Sequence, residues 1–199
     1  MWIAWNINTD DVGWPPSTLE EKVEIFYQRA YGWQLHIADL LANGGPRLDD
    51  AVSVEPLRHS GFAVMQICLS YFETIGHYEY GNTFNKSKEY FKAGLRSVFP
   101  QLIAKCSGSL DELLDRVYIG VRCGLYHNSM TVVGVGLGQP EDGTSLAYDQ
   151  VSKKLAISPE RLPRALKQHL QEFREKLLDP KNVSLRKNFE RRFDEDNGV

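Results

Sequence analysis

Cysteine is scarce. The chain carries Cys68, Cys106 and Cys123 in 199 residues. The number is odd and no two are close in sequence, so neither a disulfide framework nor a zinc-ligand pattern follows. They read as reduced thiols of a cytoplasmic protein, with Cys68 and Cys123 as small core or near-core residues. Long apolar runs are missing as well. Stretches such as GFAVMQICL are too short and too interrupted to span a bilayer, which argues against a membrane partner. The N-terminus, MWIAWNINTDDVGW, has no basic segment leading into a long apolar one, so it does not read as a signal peptide. Nor is there an excess of positive charge. Lys and Arg number 23 against 26 Asp and Glu, for a net charge of -3, and no overall basic field draws in nucleic acid. A local basic site stays open. Internal repeats and low-complexity linkers are also absent.

What is present is an ordinary globular composition, 42% hydrophobic and 25% charged, long enough to bury a sizeable core in one domain. Trp2, Trp5 and Trp14 are expected to pack an N-terminal arm onto the body. Helical spacing then dominates. The capping pattern Ser17-Thr18-Leu19-Glu20 opens a helix, and Asn43-Gly44-Gly45-Pro46 stops it. Its apolar stripe includes Val23, Phe26, Ala30, Trp33, Ile37, Leu40 and Leu41. A second helix is predicted from about His59 to Tyr80, on Phe62, Met65, Leu69, Phe72 and Ile75, with Gly81-Asn82 ending it. A shorter one lies within Lys86 to Phe99. A fourth starts near Ser109 or Leu110 and ends near Tyr126 or His127. The period then changes, and TVVGVGLGQ, SLAYDQ and KKLAIS read as strands. Ser158, with Pro159 at the first position, is predicted to cap a long helix on Leu162, Leu166, Leu170, Phe173 and Leu177. Leu185, Phe189 and Phe193 predict one short last helix, and the tail DEDNGV is expected to fray. The fold class is therefore mainly α, a helical bundle with a small antiparallel β-ribbon between its last long helices. One domain covers the chain, with its core at about 17–128 and 158–179, the ribbon at about 130–157, and a C-terminal helix and tail at about 182–199.

The stretch VRCGLYHNSM places two polar residues, Arg122 and His127, where their neighbours read as core. On a regular helix they fall on opposite flanks of the apolar stripe, about 140° apart. Gly120 and Gly124 share a side with His127 and leave backbone that a helix or ligand can approach. A two-fold dimer would bring both flanks to a shared cleft. Arginine forks phosphate oxygens, and histidine exchanges a proton near neutral pH. Such a pair can cleave RNA without a metal or cofactor, because the 2′-hydroxyl is itself the nucleophile. The spacing Arg-x4-His occurs again at Arg164 and His169, which sit in a Lys-, Gln- and Glu-rich helix and most simply face solvent. For Arg122 and His127 an internal ion pair or a helix C-terminal cap remains the structural alternative.

The segments YFETIGHYEYG, FKAGLRSVFP and VYIGVRCGLYH together resemble HEPN domains, the nucleotide-binding helical bundles of higher eukaryotes and prokaryotes. The resemblance runs from about Gly61 to Asn128 and rests on the Arg-x4-6-His motif in VRCGLYHNS. It implies a HEPN-like bundle, a homodimer, and a metal-independent endoribonuclease of a toxin–antitoxin or phage-defence system, with Arg122 and His127 as its catalytic pair. It also implies an acidic residue on the second helix that supports this pair, which Glu73 fits. Cys123 and Ser129 depart from the residues that active members often carry. Some members only bind nucleotide, RNA or a partner protein such as an antitoxin, and that reading stands beside the enzyme.

Other candidates surround this core. Glu73 and His77 share a helix face and read either as a surface pair or as part of the cleft. Asn128 either orients the imidazole, binds phosphate or ends the helix. Gly134-Val135-Gly136-Leu137-Gly138 is not read as a phosphate loop, because a turn follows it instead of a helix. Arg186, Lys187, Arg191 and Arg192 are interleaved with acids and read chiefly as a solvated face. No metal site is placed, since no third ligand joins Glu73 and His77.

Overall fold

A computed structural model of the chain describes residues 1–106, 110–128 and 130–199, with the side chains of residues 11, 103, 105 and 128 outside that description. The N-terminus forms a small hairpin, β1 (Trp2–Ala4) and β2 (Ile7–Asn8), then a helical turn, α1 (Thr9–Val12). Ile3 and Ala4 are buried, and Arg29 Nε donates to the Ile3 carbonyl at 2.6 Å. Of the three N-terminal tryptophans, Trp5 packs on the body, its side chain against Gly32, where a Cβ would collide with it. Trp2 and Trp14 stay exposed, contrary to the packing expected of them.

The first long helix is α2 (Leu19–Ala30), a π-helical stretch (Tyr31–Leu35) and α3 (His36–Asn43). Two overlapping sequences fit the capping box, and the chain uses the later one. Thr18 Oγ1 accepts from the Glu21 amide at 3.2 Å, and the Glu21 carboxylate accepts from the amides of Ser17 at 2.7 Å and Thr18 at 3.1 Å. Ser17 and Glu20 do not pair in this way. A π turn closes on i→i+5 bonds, so the stripe falls behind regular spacing. Trp33 and Ile37, expected inward, are exposed, while Leu35 and Ala38 are buried.

A loop holding β3 (Gly45–Pro46) and β4 (Ser53–Val54) leads to α4 (Gly61–Tyr80), the central helix. Met65, Leu69, Phe72 and Ile75 are buried as expected, whereas Phe62 in the first turn is exposed. Gly81 ends the helix at φ +55°. Then come α5 (Ser87–Val98) and α6 (Pro100–Lys105). Two glycines let α4 and α5 approach backbone to backbone. A Cβ on Gly76 would collide with the Tyr90 carbonyl, and one on Gly94 with the Phe72 carbonyl.

The fourth helix comprises α7 (Leu110–Asp115), a π stretch (Arg116–Cys123) and α8 (Gly124–Asn128). The start near Ser109 lies outside the described residues. Lys88 and Lys92 of α5 reach Asp115 at 2.8 and 2.7 Å and fix this helix against α5. Hydrogen bonds from both lysines hold the Asp115 carboxyl below its ordinary range.

Beyond α8 lies a sheet of three strands, β5 (Val135–Leu137), β6 (Leu146–Asp149) and β7 (Lys154–Ile157), in the order β5-β7-β6. β6 and β7 form the expected antiparallel hairpin, with Leu146 opposite Ile157. β5 instead runs parallel to β7, with Val135 opposite Leu155. The connection through Pro140 and Gly143 carries the chain across to the far side of β7 instead of folding it back, so the sheet is mixed.

Ser158 does not cap the next helix directly. Its Oγ accepts from the Arg161 amide at 3.2 Å, closing a turn, and α9 (Leu162–Leu178) begins after it with Pro163 in its first turn. α10 (Val183–Asn197) is longer than expected and takes in the acidic tail. Asp194 pairs with Lys22 at 2.7 Å, Asp196 accepts from the Tyr78 hydroxyl at 3.2 Å, and Asn197 accepts from Arg29 at 2.8 Å. Phe189 packs against Phe26 and Tyr78, with ring centroids at 5.5 and 5.1 Å. These anchors stop the fraying that charge alone would favour. The architecture is a mainly α bundle around α4, and no helix among the described residues is long and apolar enough to cross a membrane.

Candidate functional site

The π stretch sets the geometry of the Arg122 region. Regular α-helical bonding is interrupted there, and the Gly120 carbonyl accepts from the Val132 amide at 3.0 Å. The chain thus doubles back along its own helix. A Cβ on Gly120 would lie 2.8 Å from Val132 Cγ2, and one on Gly124 would lie 2.6 Å from the Met130 carbonyl oxygen. The glycine face is filled by this returning segment, so it does not offer room for a second helix.

Arg122 faces away from the glycines. Its guanidinium lies 5.6 Å from the Tyr118 ring centre and 5.5 Å from that of Tyr126. It donates to Glu73 Oε2 at 3.1 Å, and Glu73 Oε1 accepts from Ser87 Oγ at 2.5 Å. Three elements therefore meet at one carboxylate. The Arg122 and Glu73 side chains are 29% and 25% exposed, so solvent screens the pair and its net contribution to stability is about 1 kcal/mol or less. Burial is the largest single influence on the Arg122 charge and works against it, but the Glu73 carboxylate together with Tyr118 and Cys123 holds the guanidinium above its ordinary value.

This pair lines a cleft of about 560 Å³, together with His77, Tyr126, Arg192 and Asp196. His77 does not pair with Glu73 on the surface of α4. Its ring stacks on Tyr90 at a centroid distance of 3.7 Å and 23° between planes. Burial, and then the charge of Arg192, lower its pKa against the opposing pull of Glu73 and Asp196. Arg192 holds Asp196, with Nη2 to Oδ1 at 2.7 Å. Of the basic cluster on the last helix, Arg192 thus turns to the cleft. Sequence reasoning missed Arg192 and Asp196 as cleft residues. Their signal was position: Arg192 precedes the inward Phe193 and Asp196 follows one turn on, so both flank the buried stripe.

His127 is exposed, and its ring meets that of Tyr126 edge-on at 5.3 Å. It is not among the residues lining the Arg122 cleft within one chain. The structure brings Glu73, His77 and Arg122 together and leaves His127 at the end of the same helix. The Asn128 side chain lies outside the described residues.

The second Arg-x4-His pair divides differently. Arg164 is exposed and donates to Asp39 at 3.2 Å. His169, expected at the surface, is only 6% exposed. Its Nδ1 is 2.9 Å from the Tyr71 hydroxyl and its Nε2 is 3.2 Å from Ser97 Oγ, which donates to Glu79 Oε1 at 2.6 Å. The chain Tyr71–His169–Ser97–Glu79 joins three helices. Burial depresses the His169 pKa to about 4 and raises that of Glu79. The periodicity held the clue, since His169 follows Leu166 by three and precedes Phe173 by four.

Among the described residues, no group of three His, Cys, Asp or Glu is placed to hold a metal ion. Gly134, at φ +86°, leads into β5 and no helix follows, so the glycine-rich segment forms a strand entry. Compared with protein-family models, with curated proteins and with solved structures, the chain has no significant match.

Proposed function

We propose that the chain is a HEPN-like, metal-independent endoribonuclease that acts as a cytoplasmic homodimer, in a toxin–antitoxin or phage-defence setting. One observation carries the reading. Glu73, an acidic residue on α4, holds Arg122 at the wall of an open cleft. That is the relation the HEPN resemblance implies. In this reading Arg122 binds the scissile phosphate and His127 takes the 2′-hydroxyl proton as that oxygen attacks phosphorus; the P–O5′ bond breaks and the 5′-oxygen leaves with a proton, giving a 2′,3′-cyclic phosphate and a 5′-hydroxyl. Asn128 is assigned a supporting role.

In this reading a second copy completes the site, because His127 is not among the residues that line the Arg122 cleft of its own chain. Exposed apolar side chains lie beside this helix, among them Ile119, Tyr126, Met130 and Val133. An isologous dimer would cover them. The position of His127 also favours a second reading, in which the cleft binds nucleotide, RNA or a partner protein without catalysis. End-labelled, mixed-sequence RNA in EDTA, treated with wild type and with folded His127→Ala, separates the two. Cleavage by wild type alone, with cyclic-phosphate ends, is the expected result. Equal cleavage by both assigns the activity to another site, and binding without cleavage by either selects the second reading.

A further inference from the structure

The Arg122 cleft contains a histidine other than His127. His77 lies one turn beyond Glu73 on α4, and the stack on Tyr90 fixes its ring plane. Its Nδ1 is buried and has no hydrogen-bond partner. A proton on that nitrogen would be an unsatisfied buried donor, which is costly. The preferred tautomer therefore keeps Nδ1 as a bare lone pair and puts the proton on Nε2. The ring is partly exposed and lines the cleft, so Nε2 is the nitrogen left to serve a ligand. The lowered pKa agrees, since protonation would force a second N–H onto the buried side.

Arg192 reaches the same cleft from α10, and His77 stands within electrostatic range of Arg192 and of both carboxylates that hold the arginines, Glu73 and Asp196. Arg122 uses one nitrogen on Glu73, which leaves much of its fork for another acceptor. We infer that this cleft is a site for a phosphate group, in which His77 Nε2–H and Arg192 are binding residues alongside Arg122. The inference rests on the reading of the Arg122 cleft as one that handles phosphate. It adds donors from α4 and α10, outside the Arg-x4-His segment, and it is complete within one chain. A phosphate oxygen takes the Nε2–H hydrogen bond, and the guanidinium groups share its charge with Glu73 and Asp196.

The test uses the full chain and a fluorescent hexaribonucleotide with 2′-O-methyl groups, which cannot be cleaved at its 2′ positions. AMP and inorganic phosphate serve as competitors. His77→Phe preserves a ring on Tyr90 and removes the Nε2 donor. It also removes the unpartnered Nδ1, so it is expected to fold. His77→Gln restores an N–H near the Nε2 position. The expected result is a Kd raised about tenfold by His77→Phe and by Arg192→Gln, with His77→Gln within about threefold of wild type. Displacement by AMP and phosphate assigns the site to a free phosphate group, and oligonucleotide binding resistant to both assigns it to a polynucleotide backbone. Either supports the inference when His77 controls it. Absence of binding by wild type, or equal Kd for wild type and His77→Phe, overturns it. The ribonuclease reading is tested apart: His77-dependent binding without cleavage of unmodified RNA sinks that reading alone, and cleavage without His77-dependent binding sinks this one alone.

Discussion

Replacing Gly94 by alanine tests whether the cleft depends on the glycine contact between α4 and α5. A methyl there would collide with the Phe72 carbonyl oxygen, and it would sit 2.7 Å from the Phe72 carbonyl carbon and 3.0 Å from the Gly76 amide nitrogen. All three neighbours are backbone, so no rotamer change makes room. The helices must part, and overpacking of this kind costs about 3 kcal/mol. Alanine is the better helix former by about 1 kcal/mol, which offsets part of the cost. The net loss is about 2 kcal/mol, or about 4–8 °C in Tm for a chain of this size. Parting α4 from α5 also strains the His77–Tyr90 stack and the Ser87–Glu73 bond, both of which span the two helices. Thermal and urea denaturation of Gly94→Ala against Gly136→Ala provide the assay. Gly136 has no atom within 4 Å of its missing Cβ, so that control is expected within about 0.5 kcal/mol of wild type. A Gly94→Ala protein as stable as wild type would refute the argument.

Four further outcomes are expected. His169 is neutral in the folded protein, with a pKa depressed to about 4 from 6.5. Unfolded chains bind its proton first, so this part of the stability is full above pH 6.5 and is lost as pH falls toward 4, by up to about 3 kcal/mol. Urea midpoints at pH 7.5 and 4.5 for wild type and His169→Gln check it, and an unchanged pH dependence in the variant counts against it. Phe193→Ala, at a fully buried ring, is expected to cost about 3–5 kcal/mol, whereas a frayed tail would leave urea stability untouched. Val133 is 98% exposed, so Val133→Asp should leave monomer stability alone and weaken a dimer by about tenfold or more in sedimentation equilibrium. Glu73→Gln removes the anion that holds Arg122, and cleavage of RNA is expected to fall by about tenfold or more while the chain stays folded.

Periodicity and turn chemistry make most helices legible in the sequence alone. Most of the stripes of α4, α9 and α10 need nothing beyond regular spacing and helix-breaking residues, with Phe62 at the start of α4 the exposed exception. Legibility fails where local bonding leaves the α pattern. A step of about 100° per residue places Trp33 and Ile37 inward, but that step does not hold through Tyr31–Leu35, where the helix is π. The same step puts Arg122 and His127 on two flanks of one regular wheel. The parallel pairing of β5 with β7 is invisible because turn residues mark where a chain bends and not where it goes next. Glu73 is legible as a partner of the site. Arg192 and Asp196 are not, because α10 meets the cleft through tertiary packing, on which sequence neighbours are silent. His169 is misplaced for a further reason: polar neighbours on the wheel outweigh its own phase with Leu166 and Phe173.

The π stretch at Arg116–Cys123 has a consequence for chain length. A π turn accommodates an extra residue within a helix whose ends remain in place. Deleting one residue there would let the helix regularise with the segments on either side kept in place, whereas the same deletion in a regular helix would swing the segment beyond it by about 100° and shift it by about 1.5 Å. A deletion at Cys123 would leave Arg122 on Glu73 and leave Tyr126 and His127 facing as they do, with one residue fewer between the arginine and the histidine. The spacing between the arginine and the histidine is therefore an incomplete ruler. Two chains with the same count between them can present the imidazole in different directions, and two with different counts can present it alike, depending on how many residues the widened turn absorbs.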